Sequence, residues 1–335
     1  MGDDLETYGE SPTSPSSGER PASPSFPRRR ESSFAQDPSL CAGAWIPTCA
    51  GMTEGGGDST TPSLEPMSSP QFSWPAGKQM ALSLTFDDGR ESQWRHAMPL
   101  LDRHGVHATF YPLPSAVREH PEPWRAAVAA GHEIGNHSAT HPCSGNFRFS
   151  RHNALEEMSL EQVEQTELLE ANRQLLELLG VQPRTFAYPC GQTTVGRGEL
   201  VQSYVPLVAR HFLAGRLFFS EMHNAPDYCD LHQLYAVSMD NLDETGLDAL
   251  LDAARAEGGW LILAGHDAGP EGARQTVILD TLEYLCRVAA YPANGIWLDT
   301  VACIAEHIGE TRKAGSDGDT DVPADRSNPH AAREL

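Results

Sequence analysis

The chain has 335 residues and a formal net charge of −22, a length that allows one large domain or two small ones. The acidic balance argues against a nucleic-acid surface and against docking on anionic lipid. No stretch reaches the ~18 apolar residues of a membrane-spanning helix, so we expect no membrane insertion.

The two ends of the chain differ in composition from the middle. Residues 1–75 are rich in Ser, Pro and Gly and lack periodic apolar positions, so they cannot bury enough surface to offset the chain entropy lost on ordering. We predict a disordered extension there and a disordered tail at residues 310–335. Residues 76–309 are then predicted to form one folded domain.

Two peptides within the extension suggest an over-long gene prediction. Residues 25–33 (SFPRRRESS) and 45–53 (WIPTCAGMT) resemble translated bacterial intergenic repeats. On that interpretation the chain starts at Met52, Met67 or Met80, and the alternative is a genuine disordered extension. No apolar segment follows the three arginines, so we expect no secretory signal and a cytoplasmic bacterial protein.

Strands and helices alternate along the middle of the chain. The clearest helix covers residues 159–179, with a capping box formed by Ser159 and Gln162 and with Gly180 after its end. The predicted strands are residues 81–86, 106–113, 132–137, 185–188, 217–219, 234–239 and 260–264. The other predicted helices are residues 92–104, 123–130, 245–257 and 276–289. This alternation predicts an α/β fold with a mainly parallel sheet.

The seven cysteines show no paired spacing. An odd number without Cys-x-x-Cys fits reduced thiols better than a disulfide framework, and it disfavours a thiolate metal site. Cys143 and Cys190 are expected to be small apolar filler. The others are Cys41, Cys49, Cys229, Cys286 and Cys303.

Two carboxylates follow the first predicted strand, and two imidazoles lie in and after the third. Asp87 and Asp88 occur in residues 84–89 (LTFDDG), and His137 and His141 in residues 131–142 (GHEIGNHSATHP). Each motif alone is weak, because Asp-Gly is an ordinary turn signal and His-x-x-x-His often occurs by chance. Their joint position after strands is informative, because chemistry in α/β folds lies at the carboxyl ends of strands.

One carboxylate and two imidazoles can bind a divalent metal and leave positions open for water and substrate. We expect Asp88, His137 and His141 to hold one such ion, zinc in the first instance, with cobalt, nickel or manganese as alternatives. Asp87 is not needed as a ligand, and we expect it to lie beside the metal-bound water and to act as the general base.

With these motifs the chain resembles the polysaccharide deacetylases, the NodB-homology or carbohydrate esterase 4 group. The resemblance runs from about residue 80 to residue 308. Besides the two motifs above, it rests on residues 100–111 (LLDRHGVHATFY), 185–191 (TFAYPCG) and 260–266 (WLILAGH). It implies that the domain is a single distorted (β/α)7 barrel of the NodB type.

The resemblance also implies roles for residues outside the metal motif. His266 would be the general acid that protonates the leaving group; the alternative is a structural histidine. Tyr188, Pro189, Cys190 and Gly191 would form the substrate and oxyanion site, with the N–H of Cys190 facing the oxyanion.

The chain departs from the family pattern beside the base. Ala187 stands where many members carry an arginine that pairs with the base aspartate. The partner of Asp87 is therefore open, and Arg184 and Arg197 are candidates.

A second departure concerns the acid. The family's Asp–Trp pair, which positions the acidic histidine, is replaced by residues 238–241 (SMDN). Asp240 is the candidate for orienting His266. Trp297 is a candidate for lining the pocket, with core packing as the alternative.

Three functions are open. The leading hypothesis is a metal-dependent hydrolase that removes an acetyl group from an N- or O-acetylated saccharide. The second keeps the fold and cleaves another C–N bond, in a cyclic amide, as in allantoinase-like relatives, or in a formyl group. The third is a carbohydrate-binding protein without catalysis, which the complete set of candidate residues disfavours. The expected partner is an acetylated saccharide or a related small molecule; the sequence indicates no oligomeric state.

Overall fold

The structure is a computed structural model that describes residues 72–218, 220–271 and 274–317. Predictions for residues 1–71 and 318–335 lie outside this range. Both predicted domain boundaries fall within packed structure, because Phe72 and Trp74 join an apolar cluster and the last helix continues to Asp317. Two aromatic residues in a Ser/Pro/Gly-rich segment create no periodic pattern, so periodicity could not reveal that the packed structure begins before residue 76.

Twelve strands are found in the described residues, and most are short. In chain order they are β1 (Met80–Asp88), β2 (Thr109–Pro112), β3 (Glu133–Ile134), β4 (Thr185–Ala187), β5 (Thr194–Val195), β6 (Gln202–Ser203), β7 (Ala214–Arg216), β8 (Val237–Ser238), β9 (Trp260–Gly265), β10 (Asp267–Gly269), β11 (Thr276–Ile278) and β12 (Ile296–Leu298).

Seven of these strands close into a ring. The main sheet has the order β3-β2-β1-β9-β8, with parallel pairing throughout. A parallel bridge between Asn136 and Phe186 continues from β3 to β4, which pairs with β7. A second bridge, between Arg216 and Leu234, leads from β7 towards β8. The expected α/β fold and distorted (β/α)7 barrel are therefore confirmed.

The helices are α1 (Met98–Arg103), α2 (Pro114–Glu119), α3 (Pro121–Ala129), α4 (Leu160–Gln162), α5 (Ala171–Leu179), α6 (Val205–His211), α7 (Glu244–Glu257), α8 (Leu279–Ala290) and α9 (Val301–Asp317). A π-helical segment, Val163–Glu170, joins α4 to α5, so the predicted helix at 159–179 is continuous. The Ser159 capping box is present, and Gly180 ends the helix with φ 74°. Within the described ranges, no helix is long and apolar enough to cross a membrane.

The side chains of β1 alternate between two environments. Leu82, Leu84 and Phe86 are fully buried in the apolar core beneath the outer helices. Ser83 and Thr85 lie on the other face, where the Thr85 hydroxyl donates to the carbonyl of Leu263 at 3.0 Å. Because residues two apart share a face, Asp87 continues this polar row at the carboxyl end of the strand.

Two predicted elements are displaced. The strand predicted at residues 217–219 lies at Ala214–Arg216, because β7 pairs with β4 through Arg216 and Ala187. The helix predicted from residue 276 begins only at Leu279, because the β-branched segment Thr276–Ile278 pairs in parallel with β10. Both displacements depend on pairing with distant strands, which local periodicity does not reveal.

Candidate active site

A cavity of about 560 Å³ lies at the carboxyl end of β1 and β9. β1 ends in Asp87 and Asp88, the segment after β3 carries His137 and His141, and His266 directly follows β9. The fold thus brings to one cavity side chains from three separate stretches of sequence.

Asp88, His137 and His141 form a compact set of potential ligands. Oδ1 of Asp88 lies 3.6 Å from Nε2 of each histidine, and the three ligand atoms lie within 4.8 Å of one another. Ligands bound at about 2.1 Å to one ion stand roughly 3–4 Å apart, so the spacing fits a shared divalent ion.

The two imidazoles present nitrogens that can bind a metal. Nδ1–H of His137 donates to the carbonyl of Ala187 at 2.9 Å, which leaves Nε2 directed at Asp88. Burial and the neighbouring His137 lower the pKa of His141 to about 4, so the His141 ring is neutral at pH 7. Neutral imidazole is the form that binds a metal.

The backbone is strained around these ligands. Asp88 and His141 have φ values of 71° and 54°, and Ser138 and Cys190 also lie in the left-handed region. Each such non-glycine residue costs on the order of 1–3 kcal/mol, and these conformations cluster at functional sites. At Asp88 the left-handed backbone conformation ends the alternation of side chains between the two faces of β1, immediately after Asp87.

Arg90 holds the second oxygen of Asp88. Its Nε and Nη2 donate to Oδ2 of Asp88 at 3.1 and 2.9 Å, and its Nη1 donates to Asp267 at 2.6 Å. Burial alone would raise the pKa of Asp88, but hydrogen bonding to His137 and the positive charge of Arg90 bring it well below the ordinary range. Oδ1 stays directed at the histidines. Arg90 was not predicted, although it directly follows the LTFDDG motif.

The partner of Asp87 is Arg216, which no sequence pattern indicated. Nη2 of Arg216 donates to Oδ1 of Asp87, and both side chains are buried. Arg216 is the register partner of Ala187, so it comes from the strand beside the position where the family arginine is absent. The two predicted candidates are wrong, because Arg184 pairs with Glu306 and Arg197 with Glu157.

Asp240 contacts His266 as the sequence predicted. Oδ2 of Asp240 accepts from Nδ1 of His266 at 2.7 Å, and Oδ1 accepts from the His266 backbone N–H at 3.0 Å. Burial opposes protonation of His266, but the hydrogen bond to Asp240 and the charges of Asp87, Asp240 and Asp88 raise its pKa overall. With Nδ1 held by Asp240, Nε2 is the ring atom available to the cavity.

Only one of the four predicted substrate and oxyanion residues lines the cavity, namely Cys190. Tyr188 is buried and donates its hydroxyl to the carbonyl of His232 at 2.8 Å, so its predicted contact with substrate is wrong. Pro189 is also buried. Gly191 makes a close backbone approach, because a Cβ there would lie 2.9 Å from backbone atoms of Phe218.

Cys143 and Cys190 form a disulfide, so the predicted reduced thiols are wrong for this pair. They are 47 residues apart in sequence but only 6.1 Å apart between Cα atoms. The bridge between Asn136 and Phe186 aligns the two segments that carry them, a long-range contact that cysteine spacing does not show. The bond joins the segment after His141 to the turn at the cavity wall. Disulfides are rare in cytosolic proteins, so this bond does not support the predicted cytoplasmic location.

Trp297 does not line the cavity. Its register partner is Ala81, which lies near the amino end of β1, whereas Asp88 lies at the carboxyl end of that strand. The indole packs against Trp74 and His307, with ring centroids 6.1 and 5.1 Å apart. The pocket prediction for Trp297 is wrong and core packing accounts for it.

Comparisons with known sequences find similarity to deacetylases of saccharides. Residues 75–204 match the family model described as polysaccharide deacetylase. A chitooligosaccharide deacetylase from Rhizobium leguminosarum bv. trifolii is 42% identical over 60 residues, which cover 18% of this chain and 28% of that protein. The peptidoglycan-N-acetylmuramic acid deacetylase PdaC of Bacillus subtilis is 35% identical over 82 residues, covering 24% and 18%.

A gellan lyase from a Bacillus species is 30% identical over 131 residues, covering 39% of this chain and 5% of the lyase. The chain therefore spans less than a third of the length of each of these curated relatives.

Solved structures share the fold at low sequence identity. A putative polysaccharide deacetylase from Mycobacterium smegmatis has a TM-score of 0.53 at 19% identity, covering 72% of this chain and 94% of that one. Puue allantoinase has a TM-score of 0.51 at 18% identity, covering 71% and 93%. The fold is thus found with more than one activity and does not by itself select the reaction.

The barrel and the two clustered motifs agree with what the resemblance to the NodB-homology class implied. The match to the polysaccharide deacetylase family model covers residues 75–204, which carry Asp87, Asp88, His137 and His141.

Proposed function

We propose that the protein is a metal-dependent hydrolase that removes an acetyl group from an N- or O-acetylated saccharide. The observation that carries this proposal is the Asp88, His137 and His141 set beside a buried Asp87 in one cavity. The curated relatives include chitooligosaccharide and peptidoglycan deacetylases, and these names support the substrate class.

Asp88, His137 and His141 would hold the metal through one carboxylate oxygen and two Nε2 atoms. A divalent ion bound there supplies Lewis acidity towards the acyl carbonyl and lowers the pKa of water. Zinc suits two imidazoles with one carboxylate, and cobalt, nickel and manganese are the alternatives to test.

Asp87 is proposed as the general base that takes a proton from the attacking water. Arg216 occupies Oδ1 of this carboxylate, so the carboxylate is held in one orientation and Oδ2 is available to accept the proton. Burial of both partners keeps this geometry fixed before substrate arrives.

His266 is proposed as the general acid. Its raised pKa keeps it protonated at higher pH than an ordinary histidine, and Asp240 fixes Nδ1 so that Nε2–H can donate to the departing nitrogen or oxygen. The N–H of Cys190, at the cavity wall, is proposed to face the oxyanion.

Acetate release tests this function. The chelated and the zinc-reloaded protein are each incubated with N-acetylated chitooligosaccharides, acetylated xylan and peptidoglycan glycan strands, and acetate is quantified. Allantoin and a formylated amine in the same panel test the alternative C–N substrates.

We expect acetate from at least one saccharide, only with the metal-loaded protein. Hydrolysis of allantoin or of the formyl amide without acetate release would replace this proposal with another C–N activity. Saccharide binding without any hydrolysis would instead favour the binding-protein alternative.

A further inference from the structure

The mouth of the cavity has an aromatic side and a cationic side. Phe147 and Phe149, on the segment after His141, are 41% and 59% exposed, with ring centroids 5.5 Å apart. Arg274 and Gln275, just before β11, line the same cavity. Exposed aromatic rings at a cavity mouth suit the apolar face of a sugar ring.

Of the two arginines that line the cavity, one has no carboxylate partner among the described residues. Arg90 is already bound by Asp88 and Asp267. Arg274 is exposed, and no residue in the described ranges pairs with it. Glu271, three positions earlier, lines a different cavity. Arg274 is therefore a free guanidinium at the entrance to the site.

A guanidinium presents paired donors that match the two oxygens of a carboxylate. We propose that the acetylated saccharide bears a carboxylate and that Arg274 selects it by binding that group while the sugar ring lies against Phe147 and Phe149. This proposal rests on the deacetylase function above and narrows its substrate class to acidic saccharides.

The net charge of −22 does not prevent such binding. At physiological ionic strength, interactions between exposed charges fade beyond about 8 Å, so the acidic surface as a whole repels a distant anion only weakly. Contact between Arg274 and a carboxylate takes place well within that range. The charge of Arg274, and not the net charge of the protein, therefore determines whether a carboxylate-bearing saccharide is preferred at the cavity mouth.

The test compares two oligosaccharides that share the same sugars and differ in the charge of the lactyl group. One alternates N-acetylglucosamine with N-acetylmuramic acid, which carries a lactyl carboxylate; in the other, each lactyl carboxylate is converted to its methyl amide. Acetate release gives kcat/KM for the wild-type protein, Arg274→Ala, Arg274→Lys and Arg103→Ala. Arg103 is the matched control, because it is also an exposed arginine but lies at the end of α1, outside the cavity lining.

We expect the wild-type protein and Arg103→Ala to prefer the carboxylate oligosaccharide by about five- to tenfold, as for a partly exposed charged hydrogen bond. In Arg274→Ala the kcat/KM on the carboxylate oligosaccharide should fall to about that on the methyl amide, so that the preference is lost, and Arg274→Lys should keep part of it.

A preference that survives Arg274→Ala, or equal rates on both substrates for the wild-type protein, would overturn the inference and leave deacetylation intact. Absence of acetate from every acetylated saccharide would overturn the proposed function and this inference with it.

Discussion

The contact between Asp240 and His266 predicts a defined shift in pH dependence. If His266 donates a proton to the leaving group, activity is lost as pH rises through its pKa. Asp240 is the strongest of the influences that raise that pKa. Asp240→Asn should therefore lower the pKa of His266 and move the basic limb of the kcat/KM profile to lower pH.

The size of the shift follows from the contact. Oδ2 of Asp240 lies 2.7 Å from Nδ1 of His266, and each side chain is only 10% exposed. A hydrogen bond to a charged group contributes about 1.5–3 kcal/mol, and about 1.36 kcal/mol corresponds to one pKa unit. We expect a downward shift of about one to two pH units. Part of the raised pKa should persist, because Asp87 and Asp88 also favour the protonated ring.

The assay measures acetate release from an N-acetylated oligosaccharide between pH 5 and 10, roughly the range that brackets the His pKa. An aryl acetate serves as control substrate, because its phenolate leaves without a proton and the basic limb should hardly move. Asp230→Asn is the control variant, since Asp230 also lies beside a histidine, His232, but outside the cavity. An unchanged basic limb in Asp240→Asn on the amide substrate would refute His266 as the general acid.

Two further predictions concern stability. Arg216→Met leaves Asp87 buried without its partner and should lower the unfolding free energy by about 3–5 kcal/mol in urea titration, whereas Arg197→Met, at an exposed pair, should cost about 1 kcal/mol or less. Equal losses would show that the buried pair has no special role. Cys143→Ser opens a disulfide with a sequence separation of 47 and should cost about 2–4 kcal/mol under non-reducing conditions. Full reactivity of Cys143 with a thiol reagent in the folded wild-type protein would contradict the disulfide.

Local sequence patterns located the metal motif and the longest predicted helix. The apolar alternation ahead of Asp87 and Asp88 predicted a strand ending at the site, and it is found. The capping box at Ser159 and the glycine at 180 marked both ends of a helix that the structure shows as continuous. The strand pattern and the two helix-end signals depend on residues that are close together in sequence. For that reason the sequence alone was enough to predict them.

The features that sequence missed depend on strand register. Arg216 reaches Asp87 because β7 pairs with β4, and the strand predicted at residues 217–219 lies three residues after the observed one. The link between Cys143 and Cys190 likewise requires two separated segments to lie side by side. Trp297 was misassigned because its position depends on pairing with the opposite end of β1.

The most direct test of the account is metal content and turnover in Asp87→Asn and Asp88→Asn, measured together. Asp88 faces both histidines, whereas Asp87 is held by Arg216, so only Asp88 is assigned as a ligand. Elemental analysis should find a full equivalent of metal in Asp87→Asn and little in Asp88→Asn. Deacetylation should fall by a factor of about 10²–10⁴ in Asp87→Asn, the usual contribution of a general base, despite the retained metal. Equal metal loss in the two variants, or full turnover in Asp87→Asn, would contradict the assignment of ligand and base.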